Sequence, residues 1–151
     1  MQAIEHLVLY RILFLLILVN CIWAQKLPDQ QMDKILSGGI NSIINQDYKD
    51  ALQKFSLMKV KYPDNPLGNI YSAVTLISEN LDLGKESDDS LIINYFNESE
   101  EQISNLLKID NKNIWNYYLL ALLGGYRSYF SVLKKDYLSA LSNGLSSIDY
   151  F

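Results

Sequence analysis

Histidine and cysteine are almost missing from this chain: each occurs once, as His6 and Cys21. Both lie within the first 24 residues. If that segment is removed, no thiol nucleophile, disulfide, Ser-His-Asp or Cys-His arrangement is left, and a zinc site would have to be all carboxylate. Proline (three) and glycine (seven) are scarce as well, too few for an all-β protein with many turns. Clustered positive charge is also lacking. Lysines come singly or as near pairs such as Lys59 with Lys61 and Lys134 with Lys135, the net charge is −4 and the pI is about 4.9. Without a basic field there is nothing to hold nucleic acid or an anionic membrane surface. What is plentiful is apolar: 49% of 151 residues, enough for one domain with one core. Tyrosine is abundant at eleven, a bias that an AT-rich genome produces without any recognition role.

The one long hydrophobic run is at the amino terminus. Ile12 to Val19 is unbroken, Arg11 precedes it, and the apolar stretch closes at Trp23-Ala24 before Gln25. Thirteen residues from Ile12 to Ala24 reach roughly 20 Å as a helix, short of a hydrocarbon core of ~30 Å. A positive charge, a short apolar segment and a small residue at its polar end describe a secretory signal peptide. Residues 1–24 are therefore expected to be cleaved after Ala24, leaving Gln25 as the first mature residue in the periplasm or outside the cell. Two alternatives stand beside this. Leu18-Val19-Asn20-Cys21 has the outline of a lipobox, which would make Cys21 a lipid anchor, and an uncleaved segment would remain as a membrane anchor.

From Gln25 onward the apolar residues step by three and four, the period of helices. Met32, Ile35, Leu36, Gly39, Ile40, Ile43 and Ile44 make one such face. Asp47 stands at an N-cap, and Tyr48, Ala51, Leu52, Phe55, Met58 and Tyr62 make the next. Pro63-Asp64-Asn65-Pro66 stops that helix and starts a third, carrying Ile70, Ala73, Val74, Ile77 and Leu81. Residues 82–90 read as an acidic loop. Ile92, Phe96, Ser99, Ile103 and Leu106 give a fourth helix, Asp110 to Asn113 a turn, Trp115 to Leu133 a long fifth helix, and Tyr137 to Ile148 a sixth. No segment alternates with β-branched residues, so the expectation is all-α: six helices in three antiparallel pairs after the signal helix.

The first pair carries a recognisable pattern: Gly39, then Asn45-Gln46-Asp47-Tyr48-Lys49-Asp50-Ala51-Leu52, Phe55, and Tyr62-Pro63-Asp64-Asn65-Pro66. It resembles a tetratricopeptide repeat, in which small residues let two helices close and an aromatic fills the gap to the next helix. Lys135-Asp136-Tyr137-Leu138-Ser139-Ala140-Leu141 echoes that turn in the third pair. The second pair matches loosely and carries about fourteen extra residues. The likeness covers residues 32–150, and it implies a short α-solenoid of about three pairs spanning 25–151. The Gly125-Tyr126-Arg127 stretch also resembles one found in exported bacterial repeat proteins. The chain stops where a last second helix would end and no polar cap follows, so either the sequence is a fragment or something covers Leu145 and Ile148.

Tetratricopeptide arrays use their first helices to line a groove, several with Lys and Asn that grip a terminal carboxylate. The corresponding positions here are Leu36, Ile40, Ile43, Ile70, Val74 and Ile77. They are apolar, which implies core or a groove for an apolar segment. Arg127 is the one charge between Trp115 and Leu133: either it is buried and needs a partner, which Glu79 or Asp82 could supply, or it lies on the outer stripe of a partly exposed helix. Gly124-Gly125 in mid-helix implies close contact or a kink. The acidic set Asp82, Glu86, Asp88 and Asp89 lacks the alternate-residue spacing of a calcium loop. Glu98, Glu100 and Glu101 read as a solvated face rather than a glycosidase pair. Asn97-Glu98-Ser99 matches a glycosylation sequon. No catalytic, cofactor or metal residue is expected. Tyr126, Arg127, Leu145 and Ile148 are the candidate partner-binding residues, for a protein, a peptide or a second copy. The functional expectation is an exported scaffold for protein–protein interaction in the cell envelope. The alternatives are an accessory or regulatory domain of a larger envelope enzyme or lipoprotein, and an enzyme working through carboxylates alone.

Overall fold

A computed structural model describes residues 29–84 and 88–148. The expected signal peptide, its Ala24–Gln25 junction and the lipidation candidate Cys21 lie outside the described residues. Beyond Asp29 and Gln30 the described residues belong to one compact unit that starts at Gln31. They form six α-helices and no strand: α1 (Gln30–Ile44), α2 (Tyr48–Lys61), α3 (Leu67–Leu83), α4 (Asp89–Ile109), α5 (Ile114–Leu133) and α6 (Tyr137–Ile148). α1 packs on α2 through Gly39 and the cluster around Phe55. Each later helix packs on the one before it in antiparallel order, α3 also touches α5, and none of the described helices is long and apolar enough to cross a membrane.

Local chemistry sets the helix limits. Asp47 accepts from the Asp50 amide (3.2 Å), Asp88 from that of Leu91 (3.2 Å) and Asn113 from that of Trp115 (3.0 Å), each satisfying an amide that a helix start leaves without a partner. The reading of residues 82–90 as loop is corrected at both flanks. α3 runs on to Leu83 and ends on Gly84 at φ +60°, whose amide bonds to the Asn80 carbonyl, while α4 starts at Asp89. A left-handed C-cap suits glycine because it has no Cβ.

The turns after α1 and α5 share one backbone. In the first, the Gln46 amide bonds to Ile43 O (2.9 Å) and the Asp47 amide to Ser42 O (2.8 Å). In the second, the Lys135 amide bonds to Val132 O (2.9 Å) and the Asp136 amide to Ser131 O (2.9 Å). Gln46 and Lys135 both adopt positive φ, 60° and 61°. Each helix thus ends in a Schellman motif, and the following aspartate caps the next helix. Hydrogen bonds from Ser139, that of its side chain foremost, hold the Asp136 carboxyl below its ordinary range.

Missing side chains let the helices close. A Cβ on Gly39 would lie 2.4 Å from the ring of Phe55, which together with Ala51 and Met58 is fully buried beneath Met32, Ile35, Leu36, Ile40 and Ile43. A Cβ on Gly68 would lie 2.7 Å from Lys59 Cγ, so α3 sits tightly on α2. A second core joins Ile70, Ala73 and Ile77 of α3 to Ile92, Phe96 and Ile103 of α4 and Leu119, Leu123 and Phe130 of α5. Along the α3–α4 seam the buried Ser72, Thr75 and Ser99 donate to carbonyls four residues back in their own helices. These hydroxyls are satisfied internally and leave the seam narrow. Of the six positions read as groove or core, Ile70 and Ile77 are core. Val74, Leu36, Ile40 and Ile43 are half-buried.

The two central glycines of α5 differ. A Cβ on Gly124 would lie 2.9 Å from Ser147 Cβ of α6, whereas one on Gly125 meets nothing within 4 Å. Gly39→Ala should lower stability by ~1–3 kcal/mol, because the buried Phe55 ring cannot yield and overpacking outweighs the better helix propensity. Gly125→Ala should instead raise it by up to ~1 kcal/mol. Thermal unfolding followed by circular dichroism reads both, and shifts of the same sign would contradict the packing described.

Candidate interaction surface

The four residues proposed from sequence as partner-binding are not brought together. Tyr126 faces inward. Its ring meets that of Tyr71 edge-on at 6.1 Å, and Tyr71 stacks on Phe55 at 5.5 Å. The two hydroxyls are hydrogen-bonded, and burial first, with its neighbour second, pushes the Tyr71 phenol well above its ordinary value. Three rings thereby tie α2, α3 and α5 together.

Arg127 turns the other way, and its expected partner is corrected. Its guanidinium pairs with Glu100 Oε2 (2.9 Å) and donates to Asn97 Oδ1 (2.9 Å), both on α4. Glu79 and Asp82 are on α3, and Asp82 is committed elsewhere. It accepts hydrogen bonds from the Tyr48 hydroxyl and from Gln46 Nε2 (3.1 Å), clasping the first turn to the end of α3. Glu100 is thus tethered rather than merely solvated, while the sequon residue Asn97 holds Arg127 and its Ser99 is buried. Asp89, from the acidic set, pairs with Lys134 (2.6 Å). No group of three or more His, Cys, Asp or Glu suited to a metal ion occurs among the described residues.

One arrangement that sequence reasoning missed puts a hydroxyl beside a lysine. Ser42 Oγ is 3.1 Å from Lys54 Nζ and donates to Asp50 Oδ2, and Lys54 also pairs with Asp50. An ammonium held in an ion pair donates protons and does not take them, so this is a poor nucleophile–base couple. The trio fastens α1 to α2. The Gly38 carbonyl, four residues back in the same helix, is the alternative acceptor for the one Ser42 hydroxyl proton at 2.9 Å.

Leu145 and Ile148, in contrast, belong to a broad exposed face. α5 and α6 meet along a line of small residues, Gly124 and Ser128 against Ala140, Asn143, Gly144 and Ser147, and Ser128 Oγ donates to Ala140 O (2.7 Å). Going round each helix by about a quarter turn from that line leads to an apolar stripe. On α5 it is Tyr118, Gly125, Tyr129 and Val132; on α6 it is Tyr137, Leu141, Leu145 and Ile148, all exposed. Because the helices run antiparallel, the same sense of rotation carries both stripes to the same side, where they form a shallow two-helix trough with the bare Gly125 in its floor. α6 contains no charged residue and α5 only Arg127, which points away. Scattered apolar residues are ordinary on a protein surface, but a contiguous uncharged patch of this kind is a candidate interaction surface.

No family model, curated protein or solved structure matches this chain.

The Asp82 clasp has a pH signature. Its hydrogen bond to Asp82 comes first among the causes that push the Tyr48 phenol up to about 12 from an ordinary 10. A phenol raised in the folded state stabilises the fold fully below the unfolded value, and that contribution is lost as pH rises from about 10 through about 12. Tyrosinate absorbance on alkaline titration should therefore show a late component that Tyr48→Phe reduces by one residue, the buried Tyr71 and Tyr126 supplying what remains. A late phase of undiminished amplitude in the variant would rule out the clasp.

Proposed function

We propose that this chain is an exported, non-enzymatic scaffold of the tetratricopeptide kind, binding a protein partner in the cell envelope through the α5–α6 face. The uncharged apolar trough across two helices carries the reading. A stacked helix pair buries its apolar surface only against a neighbour, and burial is worth about 25 cal/mol per Å², so the face holds several kcal/mol of association energy. Three features support the repeat kinship. The turns around Gln46 and Lys135 share one geometry, the Gly39–Phe55 closure follows the small-against-aromatic pattern, and helices next in sequence are packed together. The export part rests on the sequence of residues 1–25: Arg11, the short apolar run and Ala24 before Gln25.

Two measurements test the proposal. Mass spectrometry of the protein made in a secreting host should find Gln25 as the new amino terminus. A diacylated Cys21 would replace the soluble form with a lipoprotein, and an intact Met1 would end the export reading. In the producing cell, a photo-crosslinking residue at Tyr129 or Leu141 should give discrete protein adducts, and the same group at the exposed Glu98 of α4 should not. Absence of adducts from both positions on the face, or equal adducts from Glu98, would sink the scaffold reading.

A further inference from the structure

We infer that the partner of the α5–α6 face is a second copy of the same face, so that two hairpins meet about a twofold axis as a four-helix bundle. This rests on the reading of that face as an interaction surface and names its occupant.

The first argument is area. Tyr118, Tyr129, Val132, Tyr137, Leu141, Leu145 and Ile148 are each between 43% and 67% exposed. Together they present on the order of 800 Å², about what one partner contributes to a stable interface of standard size. The second argument is charge. A twofold interface places like against like, so any charge on the face would meet its own kind. α6 has none and the single charge of α5 is paired on the far side with Glu100, so self-pairing carries no repulsion. A partner recognised through charge finds nothing here to recognise. The third argument is shape. The trough between the stripes is floored by Gly125, above which there is no atom within 4 Å of a would-be Cβ, with Tyr129 about one turn to one side of it and Tyr118 about two turns to the other. The α6 stripe of Leu141 and Leu145 supplies ridge side chains of the size such a notch admits. The face carries both the knob and the hole, which is what self-complementarity requires.

The test uses the full chain purified from a secreting host. Sedimentation equilibrium from micromolar to about 100 µM should show a monomer–dimer equilibrium. The double variant Leu145→Glu with Ile148→Glu should weaken the dimer at least about 100-fold, since four unpaired carboxylates would be buried, with helical circular dichroism unchanged. Ile93→Glu, at an exposed apolar position on α4, should leave association as it was. A third variant does not depend on the effect of added charge: with Cys21→Ser as background, Leu145→Cys should cross-link to its own copy, and Ile93→Cys should not. A monomer throughout the range overturns the proposal, as does a dimer indifferent to the double variant, or one cross-linking through residue 93 rather than 145. Crosslinked adducts of another mass at Tyr129 with a monomer in the ultracentrifuge would leave the scaffold function standing and remove only the self-pairing.

Discussion

Close approach of helix backbones is the constraint on which the rest of this structure depends. Where two helices pack through large side chains their axes stay 8–10 Å apart, and each apolar contact can shift a little. Here the approach is fixed at points where a side chain is missing. Gly39 admits the Phe55 ring, Gly68 admits Lys59, and Gly124 admits Ser147. The aromatic chain from Phe55 through Tyr71 to Tyr126 spans the sequence from α2 to α5 because the first of these approaches seats Phe55 deeply enough to be stacked upon. The serines and threonine of the α3–α4 seam do the same work by a different route. A hydroxyl bonded within its own helix is sterically little more than an alanine and leaves no unsatisfied group behind.

Much of this was legible in the sequence because helix limits are local chemistry. Asp47, the Pro63–Pro66 turn, Asp110 to Asn113 and the 134–137 turn mark their boundaries through residue types that act within four positions of themselves. Gly39 and Ala51 were legible as points of closure and Phe55 as the filler toward the next helix, but that the Phe55 ring itself lies against Gly39 is seen only in the packing. The flanks of the acidic loop were not. Asp82 and Leu83 belong to α3 only because Gly84 ends the helix and Tyr48 and Gln46, 34 and 36 residues away, hold Asp82. Nothing local distinguishes that aspartate from a loop residue.

The candidate site was half legible for a related reason. Periodicity says that a helix has an apolar stripe, but adjacent residues point about 100° apart, and only packing tells which neighbour each one meets. Gly124 and Gly125 look alike in sequence, yet one is a contact and the other is open. Arg127 looks like a charge in search of an acid on α3, but its direction on α5 leads to α4 and Glu100. Leu145 and Ile148 were expected to lie on an uncovered apolar side of the last helix, and among the described residues both are exposed. Tyr129, Val132 and Tyr118 were passed over because they complete the face only when α5 is rotated into register with α6.

The two matched turns have one more consequence. Tyr48 and Gln46, at the first turn, hold Asp82, and Lys134, at the second, holds Asp89. These two aspartates stand on either side of the short connection between α3 and α4. Both ends of that connection are thus moored to other parts of the array, independently of the residues between them. Lengthening such a segment costs only closure entropy, about 0.6 kcal/mol for each doubling, and the helices it joins have no reason to move. A peptide inserted between Gly84 and Asp88 is therefore expected to leave the described helices in place.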